Sequence, residues 1–544
     1  MSGPRDRTVV LGFDALSLDY LDEFDLPHFA ALRAEGVETA LESTFPPWTA
    51  SAWPSMYTGR DPSHHGVYDF FAFDGGYPDE VDVVTRNDVD APAIWNYLSA
   101  RDVPSIVLNL PITYPAEPMS GVLVPGYLAP EAADGYPSGI RDELAEALGE
   151  YHIYSRAERG DLDDYRVADF VDLIEHRGRA ARYLLETKPW RLAILQVQKT
   201  DAVFHKFDDR SAFARVYAAA DAFLGTVLES VDERTNVIVC SDHGIGPTTG
   251  YRIYLNQVLE EAGYLRSTSG RAGLPRLGRE KQRLTDHPDG TEDGHRLSAW
   301  TIQLSRAVLD RTGVSVGTAS RVADRLGLLP FITRHLSTEL RASLERGVDW
   351  SASRAYCRSG NELGVRINLA GREPAGVVTD AEYEAVRDEV IDLLGGLETP
   401  DGNPAFEAVL RREAVYRGPH ADAACDVLVL PTGMANTIAT NLLGARFVPI
   451  DTHDHKRHGT FIGAGPGFDT AADRPTLSLT DVAPMAMALA GCPVPERLGW
   501  TPPDSLLTVP VTTADYGTVP FGTGAGRGDP DERIAGRLRD LGYL

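Results

Sequence analysis

Lysine and cysteine are both scarce in this chain of 544 residues. Arginine supplies nearly all of the 52 basic residues, and these stand against 79 acidic ones. The formal charge of −27 argues against nucleic acid and anionic membranes as partners, because the long-range field repels phosphates. The few lysines are Lys188, Lys199, Lys206, Lys281 and Lys456.

The cysteines are far apart and form no Cys-x-x-Cys pair, which argues against a zinc ribbon and a disulfide framework. A reduced, cytoplasmic setting is the simplest prediction. Long apolar runs are absent too: none reaches the about 18 residues that a membrane span requires, and the apolar run after Arg7 is too short for a signal peptide. The cysteines are Cys240, Cys357, Cys425 and Cys492.

An acidic composition with little lysine is typical of proteins that work in concentrated salt, where screening relieves self-repulsion. An acid-rich protein adapted to low salt is the alternative that composition leaves open. The two interpretations differ in the response of stability to potassium chloride.

Short apolar runs alternate with amphipathic segments, and 43% hydrophobic residues can build a large core. Segments 141–148 and 212–231 have the pattern of helices. The alternation predicts an α/β fold with a largely parallel sheet. The runs typical of buried strands are 8–13, 105–110, 191–198 and 236–241.

This rhythm breaks between about residues 266 and 345, where a Gly, Pro and charge-rich opening precedes successive helical patterns. Strand patterns then resume at 361–369, 426–430 and 459–465. The predicted organisation is a catalytic domain over 1–265 and 346–510, a helical insertion or cap over 266–345, and a linker with a short helix over 511–544.

Aspartate and histidine follow the predicted strands directly. Asp14 follows the first, Asp201 the third and Asp242-His243 the fourth, while His205 lies one helical turn beyond Asp201. Each residue alone is more often a helix cap or a surface residue. Because ligands gather at the carboxyl ends of strands in open α/β sheets, these five side chains are expected to converge. Carboxylate oxygen mixed with imidazole nitrogen suits zinc or a similar ion.

The motifs around these residues resemble the type I phosphodiesterase/nucleotide pyrophosphatase branch of the alkaline phosphatase superfamily. The resemblance implies a three-layer α/β/α sandwich of the alkaline phosphatase-like type. INLAGREPAGVV (367–378) resembles microbial members, and with the acidic composition it leads us to expect a halophilic archaeal one. The matching segments are VVLGFDA (9–15), FPPWTASAWPSMYTGRDPSHHG (45–66), KTDAVFH (199–205), CSDHGIG (240–246) and DHKRHGTFIGAGPG (454–467).

By this resemblance Thr49 is the catalytic nucleophile of a two-metal site. Zinc is the favoured ion, with manganese or cobalt as replacements. Two ions about 4 Å apart can clamp a phosphoryl group, which implies a phospho-threonine intermediate that water then hydrolyses. One ion would be held by Asp201, His205 and His455, and the other by Asp14, Asp242, His243 and the oxygen of Thr49.

Two of these assignments have alternatives. The segment DTHDHKRHG holds three histidines, His453, His455 and His458, and His453 is the alternative ligand to His455. Ser51 and Thr44 are the next candidates for the nucleophile.

The substrate-binding residues depart from the family pattern. Members that hydrolyse nucleotides carry a phosphate-binding Asn beyond the nucleophile, and the position 21 residues after Thr49 here holds Phe70, beside Asp69. Asn109, after the second predicted strand, is a candidate for the missing donor, with an Asx turn before Pro111 as the alternative. Asn109, Asp69 and Phe70 are therefore the predicted substrate-binding residues.

The resemblance predicts a metal-dependent hydrolase of phosphodiester or pyrophosphate bonds acting on a small phosphate ester. A phosphomonoesterase, phosphonate hydrolase or phosphomutase of the same superfamily is the alternative. A sulfatase is disfavoured because the nucleophile position holds Thr instead of Cys or Ser. A non-catalytic binding protein is also disfavoured, since ligands and nucleophile are all present.

The charges near the nucleophile favour diesters. Arg60 stands with Asp61 and Asp69 in this motif, which is too little positive charge for a dianionic monoester. An apolar wall could hold the second substituent of a diester. The residues predicted to form it are Trp48, Trp53, Tyr68 and Phe70.

Overall fold

The computed structural model describes residues 7–73, 77, 82–162, 164–268, 347–472, 474–503 and 506–522. An eight-stranded sheet forms its centre, with the strand order β8-β2-β7-β6-β1-β5-β3-β4 once the strands are numbered along the chain. These strands are β1 Thr8–Phe13, β2 Val37–Glu42, β3 Ser105–Leu110, β4 Gly121–Pro125, β5 Leu192–Val197, β6 Asn236–Cys240, β7 His458–Ala464 and β8 Leu477–Ser478.

The sheet is parallel except for β7, which runs antiparallel to both β2 and β6. In the middle, Val10 of β1 pairs with Ile194 of β5 on one side and with Ile238 of β6 on the other. Every residue of β1, β3 and β5 is buried, as expected for strands covered on both faces. The prediction of an α/β fold with a largely parallel sheet is confirmed.

Helices form the two outer layers. Alternate side chains of β1 point to opposite faces, so Leu11 and Phe13 join one hydrophobic core and Val10 joins the other. The helices of the first face are Pro27–Glu35, Val167–Thr187 and Arg210–Glu229. The helices of the second face are Thr49–Thr58, Ile94–Ser99 and Val482–Leu489. Further helices are Leu18–Glu23, Pro62–His65, Ile140–Leu148, Lys199–Lys206, Leu255–Glu261 and Asp380–Gly395.

A second, antiparallel sheet has its own hydrophobic core. Helix Asp380–Gly395 contributes Val386, Val390 and Leu394 to that core. Residues 355–431 within the predicted catalytic range 346–510 thus build a separate sheet that the sequence-based division did not resolve. Its strands, in sheet order, are Ala355–Tyr356, Gly364–Ile367, Val427–Pro431 and Phe406–Arg411.

The predicted helical insertion lies outside the described residues beyond Thr268. The two ends of the described chain meet there, because Ser267–Thr268 pairs antiparallel with Gly347–Val348. The short helix predicted within 511–544 also lies outside them, beyond residue 522. The described part of that range contains the strand Thr513–Ala514, which pairs with Val494–Pro495.

Two small sheets complete the architecture near the carboxyl ends of the central strands. Strand Tyr251–Tyr254 lies between Thr437–Ala439 and Phe447–Pro449, and strand Gly244–Thr248 pairs with Thr452–Lys456. Among the helices of the described ranges, none is long and apolar enough to cross a bilayer.

Candidate active site

The central strands bring the predicted ligands to one edge of the sheet. Strand β1 is hydrogen-bonded to both β5 and β6, so the loops that follow these three strands are neighbours. The strand Thr452–Lys456 adds a histidine, since His455 pairs with Ile245 just after the Asp-His motif of β6. The residues brought together are Asp14 after β1, Asp201 and His205 after β5, Asp242 and His243 after β6, and His455.

The first predicted ligand set forms a triangle of donor atoms. Oδ1 of Asp201 lies 3.1 Å from Nε2 of His205 and 3.5 Å from Nε2 of His455, and the two nitrogens are 3.3 Å apart. A tetrahedral zinc ion with bonds of about 2.0–2.1 Å holds its ligand atoms about 3.3 Å from each other. The three side chains therefore have the spacing that one such ion requires.

The second set surrounds the threonine hydroxyl. Oγ1 of Thr49 lies 3.3 Å from Oδ1 of Asp14 and 3.4 Å from Nε2 of His243. The same nitrogen is 3.2 Å from Oδ2 of Asp242 and 3.6 Å from Oδ1 of Asp14. Oδ2 of Asp242 is buried and accepts no hydrogen bond from the described residues, which leaves a lone pair for a cation.

The two sets adjoin each other. The rings of His243 and His455 stack with centroids 3.8 Å apart, and donor atoms of Asp201, His243 and His455 also lie within 4.8 Å of one another. A pair of neighbouring divalent ions can thus be held by the donors of this site.

Backbone carbonyls orient both of these histidines. Nδ1 of His455 lies 3.2 Å from the carbonyl oxygen of Pro47, and Nδ1 of His243 lies 3.0 Å from that of Gly244. When Nδ1 donates to a carbonyl, Nε2 is left unprotonated and can bind a metal. Burial, and then the charge of His455, lowers the pKa of His243 well below its ordinary value, which favours this neutral form.

The buried carboxylates create an excess of negative charge. Burial, and then the charge of Asp242, raises the pKa of Asp14 well above its ordinary value, and burial does the same to Asp242. Burial also opposes ionisation of Asp201, but the charge of His205 outweighs it and holds the pKa of Asp201 well below its usual range. The charge of Asp201 in turn raises the pKa of His205 to about 9. Bound cations would relieve this repulsion.

Asp14 is held in place by two donors on its far oxygen. Nε1 of Trp53 and Nε2 of Gln196 lie 3.1 and 3.2 Å from Oδ2 of Asp14, which leaves Oδ1 facing Thr49. Gly12 makes room for this arrangement, because a Cβ at that position would come within 2.4 Å of the indole ring of Trp53.

Thr49 is the first residue of helix Thr49–Thr58 and is 5% exposed. The N-terminus of a helix carries partial positive charge and favours a phosphate next to it. The two alternative nucleophiles are placed elsewhere. The hydroxyl of Ser51 is buried and donates to the carbonyl of Pro46 at 2.7 Å, while Thr44 lines a different cavity together with Arg60.

His453, the alternative ligand, points away from the metal centre. Its ring packs against Phe204 and Phe213, with centroid distances of 5.3 and 5.2 Å. The structure thus brings His455, and not His453, to the other ligands.

A cavity of about 550 Å³ opens over Thr49 and the first ligand set. One side of it is aromatic and the other is polar. The aromatic residues are Trp48, Phe70, Phe71 and Tyr127. The polar residues opposite the catalytic loops include Arg252, Arg358, Ser359, Asn361, Thr437, Thr440 and Asn441.

The three predicted substrate-binding residues have different positions. Phe70 lines the cavity. Asp69 is buried behind it and accepts a hydrogen bond from Nδ2 of Asn361 at 3.4 Å, and burial, followed by the charge of Glu362, raises its pKa to about 7. Asn109 is absent from the residues that line the cavity, because its amide donates to Gln196 at 2.9 Å and so supports the group that holds Asp14.

The predicted aromatic wall is only half correct. Trp48 and Phe70 line the cavity, but Trp53 is fully buried under Asp14. Tyr68 packs against Tyr416 with ring centroids 5.2 Å apart, in a separate cluster. Proximity in sequence does not fix the direction of a side chain, and Phe71 and Tyr127 take the two remaining places in the wall.

The basic residues of the cavity were not predicted. Arg252 and Arg358 both line it, so the prediction of a site with little basic character is wrong. Arg358 is neutralised by Glu362, whose two carboxylate oxygens accept from its Nε and Nη2 at 2.6 and 2.5 Å. Neither arginine belongs to a catalytic motif, and only the position of Arg252 on the strand that follows the Asp-His motif could have indicated it.

Comparison with known proteins agrees with this site. Residues 8–324, more than half of the chain, match the family model for type I phosphodiesterase/nucleotide pyrophosphatase. A comparison with curated protein sequences found no match.

Solved structures share the fold over nearly the whole chain. Phosphonoacetate hydrolase from Sinorhizobium meliloti 1021, in complex with phosphonoacetate, is 15% identical with a TM-score of 0.53, over 90% of this chain and 96% of that one. Murine ectonucleotide pyrophosphatase/phosphodiesterase 5, in an inactive form with AMP, is 13% identical with a TM-score of 0.48 over the same shares. The alkaline phosphatase-like fold predicted from the motifs is confirmed. The chain belongs to the type I phosphodiesterase/nucleotide pyrophosphatase family.

Proposed function

We propose that the protein is a two-metal hydrolase of phosphodiester or pyrophosphate bonds with Thr49 as its nucleophile. The observation that carries this proposal is the place of the hydroxyl. Oγ1 of Thr49 lies 3.3 Å from Asp14 and 3.4 Å from His243, and both of these belong to one of two adjoining ligand sets.

The side chains of the site suit an attack on phosphorus. The hydroxyl of Thr49 donates to Oδ1 of Asp14, which Trp53 and Gln196 hold in position, so the proton leaves on the side away from the substrate. The Oγ1–P bond forms while the ester P–O bond breaks, and water later cleaves the phospho-threonine. Two divalent ions would supply positive charge that lowers the hydroxyl pKa and stabilises the leaving oxygen.

The cavity supports a diester as substrate. Its aromatic side, which includes Trp48, Phe70 and Tyr127, can hold an apolar substituent, and the charge of Arg358 is already neutralised by Glu362. A dianionic monoester gains more from free positive charge than a diester does.

The ratio of two rates tests this proposal. With zinc or manganese in high potassium chloride, kcat/KM for bis(4-nitrophenyl) phosphate should exceed that for 4-nitrophenyl phosphate, because only the diester uses the aromatic side. A higher value for the monoester would instead support a phosphomonoesterase of the same superfamily. Hydrolysis of neither ester nor of a dinucleoside pyrophosphate would overturn the proposed function.

The charge of −27 and the scarcity of lysine support adaptation to high salt. We expect the unfolding temperature to rise with potassium chloride, and most of the rise to occur between 0.1 and 1 M, where the screening length falls from about 10 to about 3 Å. Circular dichroism melts would measure it. A midpoint that is constant or falls with salt would instead favour an acidic protein of low-salt origin.

A further inference from the structure

Arg252 is an unpaired cation in the wall of the cavity over Thr49. It lies in the strand Tyr251–Tyr254 and is half-buried. Within the described residues, no carboxylate lies within ion-pair distance of its guanidinium and no hydrogen bond to it is formed. In a protein with 79 acidic residues against 52 basic ones, a half-buried arginine without such a partner is unusual.

The other basic side chains nearby are already engaged. Arg358 is paired with Glu362, and Nζ of Lys456 donates to Thr248 at 3.0 Å and to the carbonyl of Met434 at 2.6 Å. Arg446, which precedes the neighbouring strand Phe447–Pro449, is paired with Glu261 at 3.4 Å. Arg252 is therefore the basic group of this region that remains available to a ligand.

A second polar group beside Arg252 also lacks a partner. Thr437 is its register partner on the adjacent parallel strand, and both residues line the cavity. The Oγ1 atom of Thr437 is buried and has no hydrogen bond among the described residues. A buried hydroxyl without a partner costs free energy, so this pair of neighbours indicates a place where a bound polar group completes the site.

We propose that Arg252, with Thr437 beside it, binds a second anionic group of the substrate. This inference rests on the proposed function and narrows its substrate class. The reacting phosphoryl group is bound at the ligand sets, whereas one of its substituents carries a further phosphate or carboxylate that reaches Arg252. The planar guanidinium can bind either anion through two parallel hydrogen bonds.

Three esters with the same leaving group test the proposal: 2-hydroxyethyl 4-nitrophenyl phosphate and its 2-phosphonooxyethyl and 2-carboxyethyl counterparts. We expect the wild-type protein to prefer at least one charged ester by about tenfold in kcat/KM, the effect of one well-placed charged hydrogen-bonded pair. Arg252→Met should abolish this preference and leave the neutral ester within about threefold, while Arg252→Lys should retain part of it. The two charged esters show whether phosphate or carboxylate is preferred.

Arg446→Met is the matched control, since it removes an arginine that is outside the cavity lining and should change none of these ratios. Calorimetric binding of the same esters to the metal-loaded Thr49→Ala protein, with and without Arg252→Met, separates this inference from the proposed function. Selective binding without hydrolysis by the wild type would retain the Arg252 site and overturn the hydrolase. Hydrolysis without charge preference, or an equal loss on all three esters in Arg252→Met, would overturn the role of Arg252.

Discussion

Replacing Thr49 with alanine is expected to lower kcat by about 10⁴-fold or more, the usual scale when a nucleophile is removed from a site that acts as a unit. The hydroxyl is the group that lies between Asp14 and His243, and the cavity opens directly over it. Metal content should stay nearly unchanged, because the carboxylate and imidazole donors of both sets remain. Steady-state kinetics on the preferred diester and elemental analysis of the same sample would measure both effects.

Two variants make this result specific to the hydroxyl of Thr49. Thr49→Ser keeps a hydroxyl at the same position and should retain a substantial part of the activity. Thr44→Ala changes a residue that lines a different cavity and should leave kcat within about twofold, as for a surface substitution. Near-normal turnover in Thr49→Ala would show that another group attacks the phosphorus.

The catalytic half of the site could be predicted because each of its residues directly follows a local pattern. Asp14 and Asp242 come after apolar runs that form β1 and β6, and the parallel order of those strands brings their ends together. His205 follows from its helical spacing to Asp201. Only His455 needed a choice among neighbours, and the resemblance favoured the residue that the structure brings to the ligands.

The opposite wall of the cavity could not be predicted in this way. Arg252, Asn361 and Thr437 are far apart in sequence and meet through the packing of the small sheets, which no periodic pattern records. The same reason explains the misplaced aromatics. Trp53 and Tyr68 are near Thr49 in sequence, but the helix and the loop direct one under Asp14 and the other toward Tyr416.

Removal of the metal ions is expected to abolish turnover and to lower the unfolding temperature. The purified protein should carry close to two transition ions, and Asp201→Asn should reduce this number toward one because it removes the shared oxygen of the first set. A ligand at a thousand times its Kd stabilises the native state by about 4 kcal/mol, so chelation should give a large shift. Elemental analysis, activity and thermal melts before and after chelation would measure these changes.

Asp19→Asn is the matched control for Asp201→Asn, since Asp19 is an exposed residue outside both ligand sets. It should keep two ions and the same melting temperature. Protein that contains no metal after gentle purification, or that keeps full activity in chelator, would contradict the two-metal site.

The difference in unfolding temperature between metal-loaded and metal-free protein should widen as the pH rises from 7 to 10. Without metal, Asp201 holds His205 protonated and raises its pKa to about 9. A folded-state pKa above the unfolded value gives stability that is present below the unfolded pKa and is lost as the pH passes the folded one. The raised pKa values of Asp14 and Asp242 act in the same direction.

The metal-loaded protein should not show this loss, because metal binding has already displaced the proton from His205. His205→Gln provides the test of the cause: its metal-free form cannot lose this ion pair on titration, so its melting temperature should fall less over the same pH range. Parallel curves for loaded and metal-free wild-type protein would show that His205 is not protonated by Asp201 in the empty site, and that relief of this charge is not what makes the site hold metal tightly.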